Sequence, residues 1–160
     1  MLNDKLEQGE KRDGYEFGHM VIYKNGELCV CGRKGCWERY ASMKVFKNNL
    51  RKILNLDENT RGEELLEILR SNNPSNENYE KINNLIEEYI ENLSIGLINL
   101  INIFEPDEIG IGGSFVYFKD IFLPKLVEKL KKENIRTKRD EVKVKIAVLG
   151  NDAGIIGSVL

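Results

Sequence analysis

At 160 residues and 18.4 kDa the chain is long enough for one domain with a real hydrophobic core. A net charge of −2 with 31% charged residues gives a nucleic acid or an anionic membrane nothing to hold, and no apolar run reaches the ~18 residues of a transmembrane helix. Residues Met1 to Gln8 lack the apolar core of a signal peptide. With reduced thiols, this points to a cytoplasmic protein.

Residues 2–9 read as a turn and a short strand whose preceding partner is missing. Chemistry concentrates next, in the segment 16–42. All three cysteines (Cys29, Cys31, Cys36) and the sole histidine (His19) fall inside it, with Gly32 and Gly35 between the second and third cysteine. Glycines at such positions permit positive φ, so a Cys-x-Cys-Gly-x-x-Gly-Cys turn brings its sulfurs to one point. A hairpin over Met20–Leu28, turning at Lys24-Asn25-Gly26, carries His19 to the same place. Three thiolates and an imidazole make a closed tetrahedral shell, which describes structural rather than catalytic zinc. An odd cysteine count without an export signal argues against a disulfide framework.

Downstream, apolar spacing predicts a helix over Glu38–Leu54 and a shorter one over Glu63–Arg70. Residues 71–76 (Ser-Asn-Asn-Pro-Ser-Asn) form a surface loop. A long helix follows over Glu77–Phe104, amphipathic at first and almost wholly apolar from Leu93, so its second half is expected to be buried. Pro106-Asp107 ends it, and a short strand over 108–111 runs into Gly112-Gly113-Ser114. A helix over Val116–Asn134 is expected to be interrupted at Pro124. Val142, Val144, Ile146 and Val148 alternate through a last strand. Asn151 or Asp152 then caps a final helix from Ala153.

The pattern His19…Cys29-x-Cys31-Gly32-x-x-Gly35-Cys36-x-Glu38 resembles the zinc signature of the ROK family (repressors, open reading frames and sugar kinases). Glu16-Phe17-Gly18-His19-Met20 and Tyr40-Ala41-Ser42 extend the likeness. So do 102–107 with the following Ile111-Gly112-Gly113-Ser114, and the segment 149–157. One departure stands out: the family usually has glycine where Tyr15 precedes Glu16.

The resemblance implies an α/β lobe of the actin-like and hexokinase-like (ribonuclease H-like) ATPase fold, with a zinc-bound hairpin and a long buried helix. It implies that residues 1–160 are the C-terminal lobe of a two-lobed protein whose N-terminal lobe is absent, with zinc and sugar bound by 16–42. His19, Cys29, Cys31 and Cys36 would hold the zinc, while Glu16, His19 and Glu38 would contact a hexose or amino-hexose. Carboxylates suit that task, because one carboxylate accepts hydrogen bonds from two vicinal hydroxyls. Gly112 and Gly113 would lie near the adenosine of ATP.

In the complete family fold the reaction is phosphoryl transfer from MgATP to a sugar hydroxyl, as in a glucokinase. It needs a carboxylate base. No residue here matches that base, so no catalytic residue is assigned and the chain alone is expected not to phosphorylate sugar. ATP and Mg2+ accordingly belong to the complete bilobal protein. Two other readings are a sugar-sensing lobe of a ROK transcriptional repressor and a non-enzymatic, zinc-stabilised dimerisation module. A homodimer is expected from the family; contact with nucleic acid or membrane by this chain is not.

Overall fold

The computed structural model describes residues 14–133 and 142–148. The expected strand over 2–9, the cap at Asn151 or Asp152 and the helix from Ala153 lie outside them. The chain divides into two compact units, Met1–Arg39 and Tyr40–Leu160.

The described part of the first unit is held by turns. A 3-10 turn, Phe17–His19, is followed by isolated bridges Val21↔Cys36 and Leu28↔Lys34. The turn at Lys24–Gly26 forms as expected, with Asn25 at φ 61° and the Gly26 N–H donating to the Tyr23 carbonyl at 3.2 Å. Its two arms do not pair with each other as a simple hairpin would. Ile22 donates to the Gly35 carbonyl at 2.9 Å, Gly35 donates to Glu27 at 2.9 Å and Cys29 to Arg33 at 2.8 Å, so the segment 33–36 is wedged between the arms. Gly35 makes the wedge possible: at φ 80° it presses on the Tyr23 carbonyl, where a Cβ has no room.

In place of one helix over 38–54, the chain forms α1 (Glu38–Ala41) and α2 (Met43–Ile53). Ser42 divides them. Its backbone is extended and its Oγ accepts from the Val45 N–H at 3.3 Å, as an N-cap does. Helix α3 spans Gly62–Arg70 and α4 spans Tyr79–Phe104, both close to expectation.

Strand β1 (Glu108–Ile111) leads through a second 3-10 turn, Gly113–Phe118, into α5 (Lys119–Glu133). Strand β2 (Lys143–Ile146) then pairs parallel with β1, Ile109 opposite Val144 and Ile111 opposite Ile146. This strand–helix–strand order is a βαβ unit. Helix α5 runs unbroken through Pro124, against expectation. The N–H that proline lacks would have met the carbonyl of Asp120, an exposed residue of the first turn, so water can serve it instead. The geometry changes earlier, where the 3-10 turn passes into α5.

The core of the second unit is aromatic. Phe122, fully buried, has ring centroids 4.9 Å from Phe46, 5.0 Å from Tyr89, 5.7 Å from Phe115 and 5.8 Å from Phe118. Leu50, Leu65, Ile82, Ile90 and Leu126 pack at the same level of burial. Lys129 joins Glu91 of α4 to Glu133 of α5, and Arg70 of α3 reaches Asp120 of α5 at 3.6 Å.

The second half of α4 is only partly buried. Ser94, Leu97 and Ile101 are covered, but Ile103 is 66% exposed. The uncovered side also carries Asn99 and Asn102, both exposed, while α2 and α5 pack on α4. Among the described residues no helix is long and apolar enough to cross a membrane.

Candidate functional site

Four side chains of the first unit converge. One ligand atom from each of His19, Cys29, Cys31 and Cys36 lies within 4.8 Å of every other. The sulfurs of Cys31 and Cys36 are 3.6 Å apart, and His19 Nδ1 is 3.5 Å from Cys29 Sγ. A tetrahedral shell with Zn–S near ~2.3 Å has edges of roughly 3.8 Å, so donor chemistry and spacing fit an ion of that size. Cys29 and Cys36 are buried, Cys31 is exposed, and the His19 side chain is 28% exposed.

Local sequence explains the convergence. The Gly32 N–H donates to the Cys29 carbonyl at 3.0 Å, with Gly32 at φ 83°, which folds Cys31 back over Cys29 and Cys36. The Trp37 N–H donates to Met20 at 2.7 Å, tying the segment after the last cysteine to the residue after His19. The Arg33 guanidinium donates to the His19 carbonyl. Sequence reasoning missed Arg33; only its place between the two glycines marked it.

The two candidate sugar-binding carboxylates flank the imidazole on its two nitrogens. Glu38 Oε1 stands 3.6 Å from Nδ1 and accepts from the Cys29 thiol at 2.9 Å, while Glu16 Oε2 stands 4.0 Å from Nε2. The Nδ1 edge thus faces the thiols and the Nε2 edge faces Glu16. Glycine at position 18 leaves space for Glu38, whose Cβ would lie 3.4 Å from a Cβ added there. Glu16 is the more open of the two. Its approach is set by Tyr15, which takes φ 67°, the left-handed conformation that glycine adopts freely. The tyrosine therefore keeps a glycine-type backbone path into the site.

Electrostatics separate the thiols. The Glu38 carboxylate beside Cys29 pushes that thiol up to about 12, because the thiol proton is held between sulfur and oxygen. The backbone N–H of Arg33 brings Cys31 down to about 7 by favouring its thiolate.

Gly112 and Gly113 belong to the second unit, at the C-terminal end of β1, where α/β sheets open towards ligands. Gly112 is extended and Gly113 stands at φ 64° with nothing within 4 Å of an added Cβ. The backbone at Gly113 is open to a close approach, whereas a Cβ at Gly112 would meet that of Ala147 at 3.5 Å.

The ROK family model matches residues 1–160 in full. The chain belongs to the ROK family. Its curated relatives include the xylose repressor of Caldicellulosiruptor bescii, 27% identical over 99% of this chain and 41% of that protein. A Streptomyces coelicolor glucokinase is 28% identical over 99% of this chain and 53% of its own length. An N-acetylmannosamine kinase of Haemophilus influenzae is 30% identical over 99% and 48%. The chain thus spans about half, or less, of these ROK proteins.

Among solved structures, the ROK glucokinase of Streptomyces griseus in complex with glucose and AMPPNP superposes with a TM-score of 0.79 at 25% identity. The match covers 96% of this chain and 53% of that one. The α/β fold is accordingly that of ROK sugar kinases. Both a kinase and a repressor are consistent with the family.

Proposed function

We propose that the chain is the sugar- and zinc-binding, C-terminal lobe of a ROK protein of the actin-like ATPase fold, whose complete form is a glucokinase-like, ATP-dependent hexose kinase. The observation that carries this is the two-edged His19. Its Nδ1 edge faces Cys29, while Nε2, with Glu16 beside it, remains for a ligand.

A zinc ion held by His19, Cys29, Cys31 and Cys36 would fix the turn and the imidazole tautomer. Glu38 would then lose its thiol partner and be available, with Glu16, to accept from vicinal hydroxyls. A sugar lacking the matching hydroxyl would leave a carboxylate unpaired, which is a basis for selection. In the complete protein, nucleotide would lie along Gly112 and Gly113, with Mg2+ on its phosphates. Transfer itself relies on positioning and charge stabilisation. We infer that the isolated 160-residue chain does not turn over.

A second reading, a sugar-sensing lobe of a repressor, is favoured by the xylose repressors among the relatives. Calorimetric titration of the zinc-loaded chain with glucose, N-acetylmannosamine and xylose tests both. Binding of a hexose or amino-hexose supports the kinase reading, and binding of xylose alone supports the repressor. Failure of all three sugars, with zinc retained, would leave the zinc-stabilised dimerisation module, for which sedimentation should then show a homodimer.

A further inference from the structure

The four converging donors are unequal in exposure. Cys29 and Cys36 are 3% and 0% exposed, while Cys31 stands open to solvent. They are also unequal in engagement. The Cys29 sulfur faces both Glu38 Oε1 at 2.9 Å and His19 Nδ1 at 3.5 Å, whereas Cys31 and Cys36 face each other at 3.6 Å. Only four residues, 32–35, separate the two cysteines, and the positive φ of Gly32 and Gly35 folds them into a turn. Closing to a disulfide bond length of about 2.05 Å needs the sulfurs to approach by roughly 1.5 Å.

We propose that Cys31 and Cys36 are a peroxide-oxidisable pair, which closes into a disulfide and thereby dismantles the metal site. This rests on the zinc reading of the same residues. Cys31, the exposed sulfur, attacks one oxygen of hydrogen peroxide. The O–O bond breaks, a water leaves after protonation, and Cys31 becomes a sulfenic acid. The Cys36 sulfur then attacks Cys31, the S–O bond breaks, and the second water leaves. Two thiols have lost two electrons and one peroxide has been reduced to two waters. The disulfide sulfurs no longer donate to a metal, so only His19 and Cys29 remain. Oxidant therefore releases the ion, loosens the turn that carries Glu16 and Glu38, and weakens the ligand site in a way that thiols reverse.

The test treats the zinc-loaded full chain with hydrogen peroxide, follows released zinc with a chromogenic chelator, then alkylates free thiols and digests with trypsin. Cleavage after Lys24, Arg33, Lys34 and Arg39 leaves Cys29 and Cys31 on the peptide 25–33 and Cys36 on the peptide 35–39. The expected product is these two peptides linked, with Cys29 alkylated and about one zinc released per disulfide, both reversed by dithiothreitol. Alkylated Cys31 with Cys29 in the bond overturns the pairing. Zinc retained while all three thiols stay alkylatable overturns the switch. If the reduced protein carries no zinc, the zinc reading fails on its own, and mapping of the metal-free chain still decides which thiols pair.

Discussion

Gly35 and Tyr23 touch backbone to backbone, and nothing larger than hydrogen fits between the Gly35 Cα and the Tyr23 carbonyl. Every ligand after His19 depends on that contact, because it seats the segment 33–36 between the arms of the turn. Gly35→Ala should therefore lose zinc altogether. Gly32→Ala, with the same positive φ but open space around it, should bind zinc with a strain cost of only about 1–2 kcal/mol. Zinc content after gel filtration, read by atomic absorption, separates the two.

Glu38→Gln removes the carboxylate but none of the four donors. Zinc should stay near one ion per chain while sugar affinity falls about 10–100-fold, the scale of a lost hydrogen bond to a charged group. Glu16→Gln should cost less, since Glu16 is more exposed and stands further from the ring. Equal zinc loss in both variants, measured beside the sugar titration, would count against carboxylates that serve the ligand.

Zinc binding should strengthen as pH rises through neutrality. Cys29 is pushed up to about 12 by Glu38, so at any pH below that its thiol must give up a proton when the metal binds. Each proton displaced makes apparent affinity rise about tenfold per pH unit. In Glu38→Gln the Cys29 thiol returns towards its ordinary range, less proton competition remains, and zinc should bind more tightly at pH 7. Chelator competition at pH 6, 7 and 8 gives the slope for each protein.

The aromatic cluster of the second unit meets at Phe122. Phe122→Ala should destabilise that unit by about 3–5 kcal/mol, since four rings lose their common neighbour and a cavity remains. Urea unfolding followed by circular dichroism measures it. Zinc stoichiometry of the folded fraction should not change.

Tyr15→Gly should be neutral or stabilising by up to about 1 kcal/mol, because a tyrosine at φ 67° carries strain that glycine does not. A clear loss of thermal stability would mean that the contact of its ring with Phe17, centroids 5.8 Å apart, outweighs the strain.

The four converging donors were legible in the sequence because cysteine, histidine and glycine are scarce residues with narrow uses, and their spacing leaves few ways to fold. Helices α3 and α4 were legible from apolar period, and strand β1 from the Pro106-Asp107 and Gly112-Gly113 that bound it. What escaped was decided by single contacts. Ser42 divides a helix that periodicity runs together, because capping depends on one side-chain oxygen. Pro124 leaves α5 whole, because a missing N–H matters little where the carbonyl it would have met is on an exposed residue. Ile103 is exposed because it shares the face of Asn99 and Asn102, which the apolar count of the run passed over. The wedge of 33–36 between the arms of the turn had no sequence signature beyond Gly35.

That wedge also frees one part of the molecule. Since each arm is pinned to 33–36, the ligands are positioned by bonds that lie below the tip at Lys24–Asn25–Gly26. Its length is open to change: a reporter peptide or a few extra residues can enter there while the four donors hold their places.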